Sequence, residues 1–130
     1  MNAANTMQLW LKKIMDDSVL SVDSTVPAYE AAKLIENSKA GAIVVLENQL
    51  PAGIVTTKDL TIKLIGHSYP PDTPLRRIMS TPLISITPET DLQTATDLMT
   101  ARKIRKLPVI DDDKVIGIVI ASEIGRVEES

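Results

Sequence analysis

Thr56 and Asp59 stand three residues apart at the end of an apolar run, in Gly53-Ile54-Val55-Thr56-Thr57-Lys58-Asp59. Ile54 and Val55 suit a buried strand. A hydroxyl residue followed three positions later by an acid is the sequence mark of a capped helix start. Leu60, Ile62, Leu64 and Ile65 then supply apolar residues for the helix itself. Such a start presents unpaired N–H groups, a hydroxyl, the Lys58 ammonium and a carboxylate, a set suited to phosphate and ribose. Taken alone, the pattern is more often a capped helix with no ligand.

Composition removes several other chemistries. The chain has 130 residues, no cysteine, no Phe, one Trp, two Tyr and one His. Disulfide and thiol chemistry are therefore excluded, and a histidine-built metal site or a Ser–His hydrolase has too few histidines. His67 sits in Gly66-His67-Ser68 and reads as a solvated loop residue. A net charge of −3 and so few aromatics oppose a nucleic-acid partner. Asp111-Asp112-Asp113 reads as a hairpin turn in preference to a cation site. No apolar run is long enough to span a membrane, and the N-terminus lacks the apolar core of a secretory signal, so a cytoplasmic location is expected.

The elements that must position Thr56 and Asp59 occur twice. When Ile14-Met15 is laid on Ile78-Met79, the same offset holds without a gap to the end of the chain. Ser21-Val22 then meets Ser85-Ile86, Ala31 meets Ala95, Val45-Leu46 meets Val109-Ile110, and Gly53-Ile54-Val55 meets Gly117-Ile118-Val119. This is a tandem duplication.

Each copy predicts a short strand (20–22 or 84–86), a helix (28–36 or 91–101), a buried strand (42–46 or 107–110), an acidic or amide turn, a further strand and a closing helix. Pro27 is expected in the first turn of one helix, and Thr90 with Gln93 in a capping box before the other. A leading helix from Met7 carries Trp10 onto the body or onto a partner subunit, and residues 1–6 are expected to fray. Residues 7–66 thus form the first repeat with its leading helix, 67–76 a proline-rich linker, and 77–130 the second repeat. The fold class is α+β: two tandem β-α-β-β-α repeats related by pseudo-twofold symmetry and packed through their sheets into one module.

This arrangement closely resembles a tandem CBS domain pair, or Bateman module. The resemblance runs from about Lys13 to Arg126. It is carried by Ile-Met opening each copy, by Ile104-Arg105-Lys106-Leu107-Pro108-Val109, and by the Gly53–Asp59 motif. It implies a regulatory ligand, an adenine nucleotide (AMP, ADP or ATP) or S-adenosylmethionine, held in a cleft between the repeats, with occupancy transmitted by conformational change. It assigns the Thr56 hydroxyl to ribose or phosphate, Asp59 to the ribose hydroxyls and Lys58 to phosphate. Leu20, Ala40, Ile84 and Ile104 would line the adenine pocket, although all four also suit an ordinary core. Arg105 and Lys106 match phosphate-facing positions; an exposed basic pair is the alternative.

In the second copy Ile120 replaces Thr56 and Glu123 replaces Asp59, with Ser122 left as a cap or phosphate contact. The resemblance therefore implies that the Asp59 site is the better one. It also implies a homodimer acting on a downstream protein through no catalytic step of its own. A ligand-independent interaction scaffold with a vestigial pocket is the alternative. An enzyme turning over a nucleotide lacks a nucleophile–base pair.

Overall fold

The structure, a computed structural model, describes residues 7–18 and 21–128, with the side chains of 126–128 left aside. Leu20 and the expected frayed start at residues 1–6 lie outside the described residues.

The chain folds as two compact units, and they do not coincide with the two sequence copies. One unit spans Ser18–Leu83; the other joins the chain before it to the chain from Ile84 onward. In the Ser18–Leu83 unit, β1 (Ser21–Asp23) leads to helix α1 (Ala28–Glu36), then to β2 (Ala42–Glu47) and β3 (Leu50–Thr56). β1 pairs parallel with β2, and β2 antiparallel with β3. Asn48 and Gln49 both take positive φ, which lets two residues turn the hairpin with the twist of its strands. Helix α2 (Thr57–Leu60) continues as a π-helical turn through Thr61–Gly66. The core is Ala28, Ala31, Ile35, Ile43, Val45, Val55, Leu75 and Ile78.

The proline-rich linker is not free chain. Ala28 N–H donates to Thr73 O at 2.8 Å, Tyr29 N–H to Pro71 O at 3.0 Å, and Leu75 N–H to Val26 O at 2.9 Å. The linker carbonyls thereby satisfy N–H groups at the start of α1, where Pro27 stands as the N-cap, one position before the expected first turn. A 3-10 turn, Leu75–Arg77, follows and seats Leu75 and Ile78 in the core.

In the other unit, helix α3 (Leu92–Arg102), strands β4 (Lys106–Asp111) and β5 (Lys114–Ile120), and helix α4 (Ala121–Glu128) repeat the order. Asp112 and Asp113 repeat the positive-φ hairpin turn, and both hairpins carry an irregularity at matching places, Val45/Leu46 and Val109/Ile110. Two expectations are corrected here. The strand expected at 84–86 is reduced to a single parallel bridge, Ile86 to Val109. In the first copy Ser24 N–H extends the ladder by donating to Leu46 O at 2.8 Å. Pro88 occupies the matching position and Pro108 the position of Val44, so the N–H on each side of that bridge is missing. The cap of α3 is Asp91, one residue later than expected: its carboxylate accepts from Thr94 N–H at 2.7 Å, while Gln93 turns outward to Asp97.

The leading segments are exchanged. The leading helix (Leu9–Ile14) packs not on its own copy but on β5 and α4 of the second. Asp16 bridges Ile118, and Trp10, 6% exposed, donates its indole N–H to Thr90 O at 3.1 Å. Reciprocally, the segment opening the second copy bridges the first through Ser80 and Ile54. Trp10 is thus a core residue of this chain, beside Leu11, Ile14, Met99, Leu107 and Val119.

Candidate ligand site at the first-copy motif

β3 delivers Thr56 to the sheet edge opposite Ala42, and the chain turns there into α2. Thr56 is the N-cap, as expected, and the capping box is complete. Asp59 N–H donates to Thr56 Oγ1 at 3.3 Å, and Thr56 N–H donates to Asp59 Oδ2 at 2.8 Å. Thr56 Oγ1 also donates to Oδ2 at 3.1 Å. Thr57 N–H finds Gly41 O at 3.1 Å, with Gly41 at φ +63° so that the backbone can present that carbonyl beside the helix start.

The other carboxylate oxygen is also engaged. Ser80 Oγ donates to Asp59 Oδ1 at 2.8 Å, and Lys63 Nζ lies 3.8 Å from the same oxygen while donating to Ile78 O at 2.5 Å. Asp59 is 13% exposed at its side chain. Sequence reasoning missed Ser80 and Lys63, although both carried a signal. Lys63 is four residues beyond Asp59 on a helical run, and Ser80 directly follows the repeated Ile-Met pair.

Lys58 lies exposed in the first turn of α2, beside the motif. Ala40 is fully buried, so its side chain contributes packing to this end of the strand.

The remaining site candidates belong to the other unit. Ile84 and Ile104 are half-buried and pack against the same core cluster. Arg105 is exposed, and its carbonyl accepts from Ala121 N–H at 2.8 Å, the counterpart of the Gly41–Thr57 bond. Lys106 opens β4 opposite Ile120. Its ammonium is held below the usual lysine range, first by partial burial and then by the neighbouring Arg105 charge. Ser122 is exposed and Glu123 half-buried in the first turn of α4. A groove of about 480 Å³ runs between α3 and α4, floored by Met99, Ile104 and Ile124 and rimmed by Lys103 and Arg105. The structure therefore groups Thr56, Lys58 and Asp59 at one helix start, and Ile104, Arg105 and Lys106 at the matching place of the second copy.

Among the described residues no helix is long and apolar enough to cross a membrane, and no cluster of three or more His, Cys, Asp or Glu side chains is poised for a metal ion.

Known proteins share this arrangement. The profile of the CBS domain matches residues 11–66 and again 75–127. A CBS domain-containing protein of Bacillus subtilis, YhcV, is 32% identical over 114 residues, covering 88% of this chain and 81% of its own. The mitochondrial CBS domain-containing protein CBSX3 of Arabidopsis thaliana is 37% identical over 124 residues, covering 90% of this chain; that match spans only 55% of CBSX3. The crystal structure of a putative signal-transduction protein with CBS domains from Burkholderia ambifaria superposes with a TM-score of 0.76 at 26% identity, over 86% of this chain and 83% of that one. Tandem CBS domains are typically regulatory, ligand-binding modules. With two profile matches that cover most of its length on an α+β fold of repeated β-α-β-β-α units, the chain belongs to the CBS domain family.

Proposed function

We propose that this chain is a regulatory module that binds an adenine nucleotide (AMP, ADP or ATP) or a related adenosyl compound such as S-adenosylmethionine at Thr56–Asp59, and reports occupancy by a change of conformation. The observation that carries the reading is the Asp59 carboxylate, nearly covered yet anchored at a helix start beside a hydroxyl and the exposed Lys58. An ionised carboxylate accepts from both hydroxyls of a cis-diol, each such bond contributing about 1.5–3 kcal/mol. The exposed Lys58 ammonium suits the phosphates that follow.

In the second copy Ile120 offers no hydroxyl and Glu123 reaches one methylene further, while Arg105 and Lys106 add positive charge. That copy is proposed as the weaker adenosyl site, with its cations turned to phosphate.

The module is proposed to act as a homodimer on a downstream protein. Support comes from Leu34, Ile62 and Ile65, exposed on α1 and the π-helical turn, Ile65 to 77%. Sedimentation giving a monomer mass at micromolar concentration would remove the dimer.

Calorimetric titration of AMP, ADP, ATP and S-adenosylmethionine tests the ligand. One of them is expected to bind with a Kd of about micromolar or below, and Asp59→Ala to weaken it by about tenfold or more, ~1.4 kcal/mol. Absence of heat with all four on a folded sample overturns the adenosyl reading and leaves the interaction-scaffold reading in its place.

A further inference from the structure

Asp59 is saturated. A carboxylate offers about four lone-pair sites. Oδ2 takes Thr56 N–H and Thr56 Oγ1, and Oδ1 takes the Ser80 hydroxyl with Lys63 Nζ beside it. A cis-diol needs two of those places, so at least one hydrogen-bonded donor must leave and the Lys63 ammonium must give way beside it.

The two oxygens are not equally available. The Oδ2 pair belongs to the capping box, and surrendering it undoes the start of α2. The Oδ1 partners are on the open side: Ser80 is exposed and the Lys63 side chain is 26% exposed, so water can receive either one. We infer that Ser80 and Lys63 form a latch on Asp59, which a diol ligand displaces from Oδ1, and that the Ser80 hydroxyl thereby sets the affinity of the site. This rests on the adenosyl reading above.

The latch also ties the site to a second piece of chain. Ser80 is pinned to β3 by its own backbone, with Ile54 N–H to Ser80 O at 3.1 Å and Ser80 N–H to Ile54 O at 2.8 Å, and Lys63 grips Ile78 O. Both Oδ1 partners thus hold the segment Ile78–Ser80, through which the chain passes into its second copy. Ligand uptake frees their side chains from Asp59 and loosens that segment. In the other unit the exchanged leading segment brings Asp16 to the position of Ser80, and Glu123 stands at that of Asp59, two acids in place of a hydroxyl and an acid, so the same device cannot operate there.

The test is calorimetric titration of AMP, ADP, ATP and S-adenosylmethionine into the full chain, as wild type, Ser80→Ala and Ser80→Thr, each checked by thermal melting. Removing the competing hydroxyl is expected to tighten binding in Ser80→Ala by about three- to tenfold, and Ser80→Thr, which keeps the hydroxyl, to stay within about twofold of wild type. Binding by Ser80→Ala alone also supports the latch. If wild type binds and Ser80→Ala binds equally or more weakly, the latch is overturned and the adenosyl reading stands. If Ser80→Thr tightens as much as Ser80→Ala, the hydroxyl is not the competitor and the latch is likewise overturned. If no variant binds any of the four, the adenosyl reading falls and the latch with it.

Discussion

The two copies of one motif have diverged in opposite chemical directions while keeping one backbone. Thr57 N–H meets Gly41 O in the first copy, and Ala121 N–H meets Arg105 O in the second, at 3.1 and 2.8 Å. Around that shared bond, the first copy places a hydroxyl, a short carboxylate and a positive-φ glycine. The second places Ile120, a longer carboxylate, an arginine and a half-buried lysine. The strand-to-helix turn is therefore a scaffold requirement, met by main-chain bonds in both copies. Side chains at four or five positions decide what each turn can hold.

Changes that strike both copies alike at the scaffold level come first in size. In the first copy Met79 lies over Gly53, and in the second Met15 lies over Gly117. A Cβ on Gly53 would fall 2.8 Å from Met79 Sδ and 2.9 Å from the backbone oxygen of Ser80; one on Gly117 would run into the Met15 side chain. Gly53→Ala is expected to destabilise by about 3 kcal/mol, because backbone must move, and Gly117→Ala by about 1–2 kcal/mol, because a methionine can turn aside. Urea midpoints measure both, and equal losses would mean the two exchanged segments are equally rigid.

The next changes interconvert the copies. Thr56→Ile with Asp59→Glu gives the first copy the chemistry of the second and is expected to weaken the adenosyl ligand by about tenfold or more, ~1.4 kcal/mol. Ile120→Thr with Glu123→Asp is the reverse exchange, and calorimetric stoichiometry should rise toward a second site. Unchanged stoichiometry would place the deficit in Arg105 and Lys106 instead.

Thr56→Ala alone removes a helix cap and should cost about 1 kcal/mol of stability, with Thr56→Ser recovering most of it; denaturant unfolding reads both. The smallest effect concerns Lys106. Its pKa in the folded chain lies below the ordinary lysine value because of burial and then Arg105. Between the two values the unfolded chain binds more protons, so stability rises as pH climbs from the lowered pKa toward the ordinary one. Lys106→Met should flatten that rise at alkaline pH, and Arg105→Ala should shrink it.

Much of this was legible because it is local. The hairpins and the Thr56–Asp59 capping box each depend on residues within a few positions of one another, where hydrophobic period and hydrogen-bonding side chains act directly, and the duplication shows as one ungapped offset along the chain. The loss of the second copy's first strand was readable too, from Pro88 and Pro108, but only once the first copy's ladder was known. The cap of α3 slipped by one residue because the Asp91 carboxylate takes Thr94 N–H, while the Thr90 hydroxyl turns back to accept from Thr87 N–H at 3.1 Å.

The residue types at the two motifs, and hence the unequal chemistry of the copies, were determined by sequence alone. Only the tertiary structure decided that each leading segment crosses to the other copy, and that Ser80 and Lys63 close on Asp59. Either copy presents the same glycine and the same strand edge, so local preference cannot choose between them. That choice belongs to the packing of Trp10, Leu11 and Ile14 on one core and of Leu75 and Ile78 on the other, residues brought together across long stretches of chain.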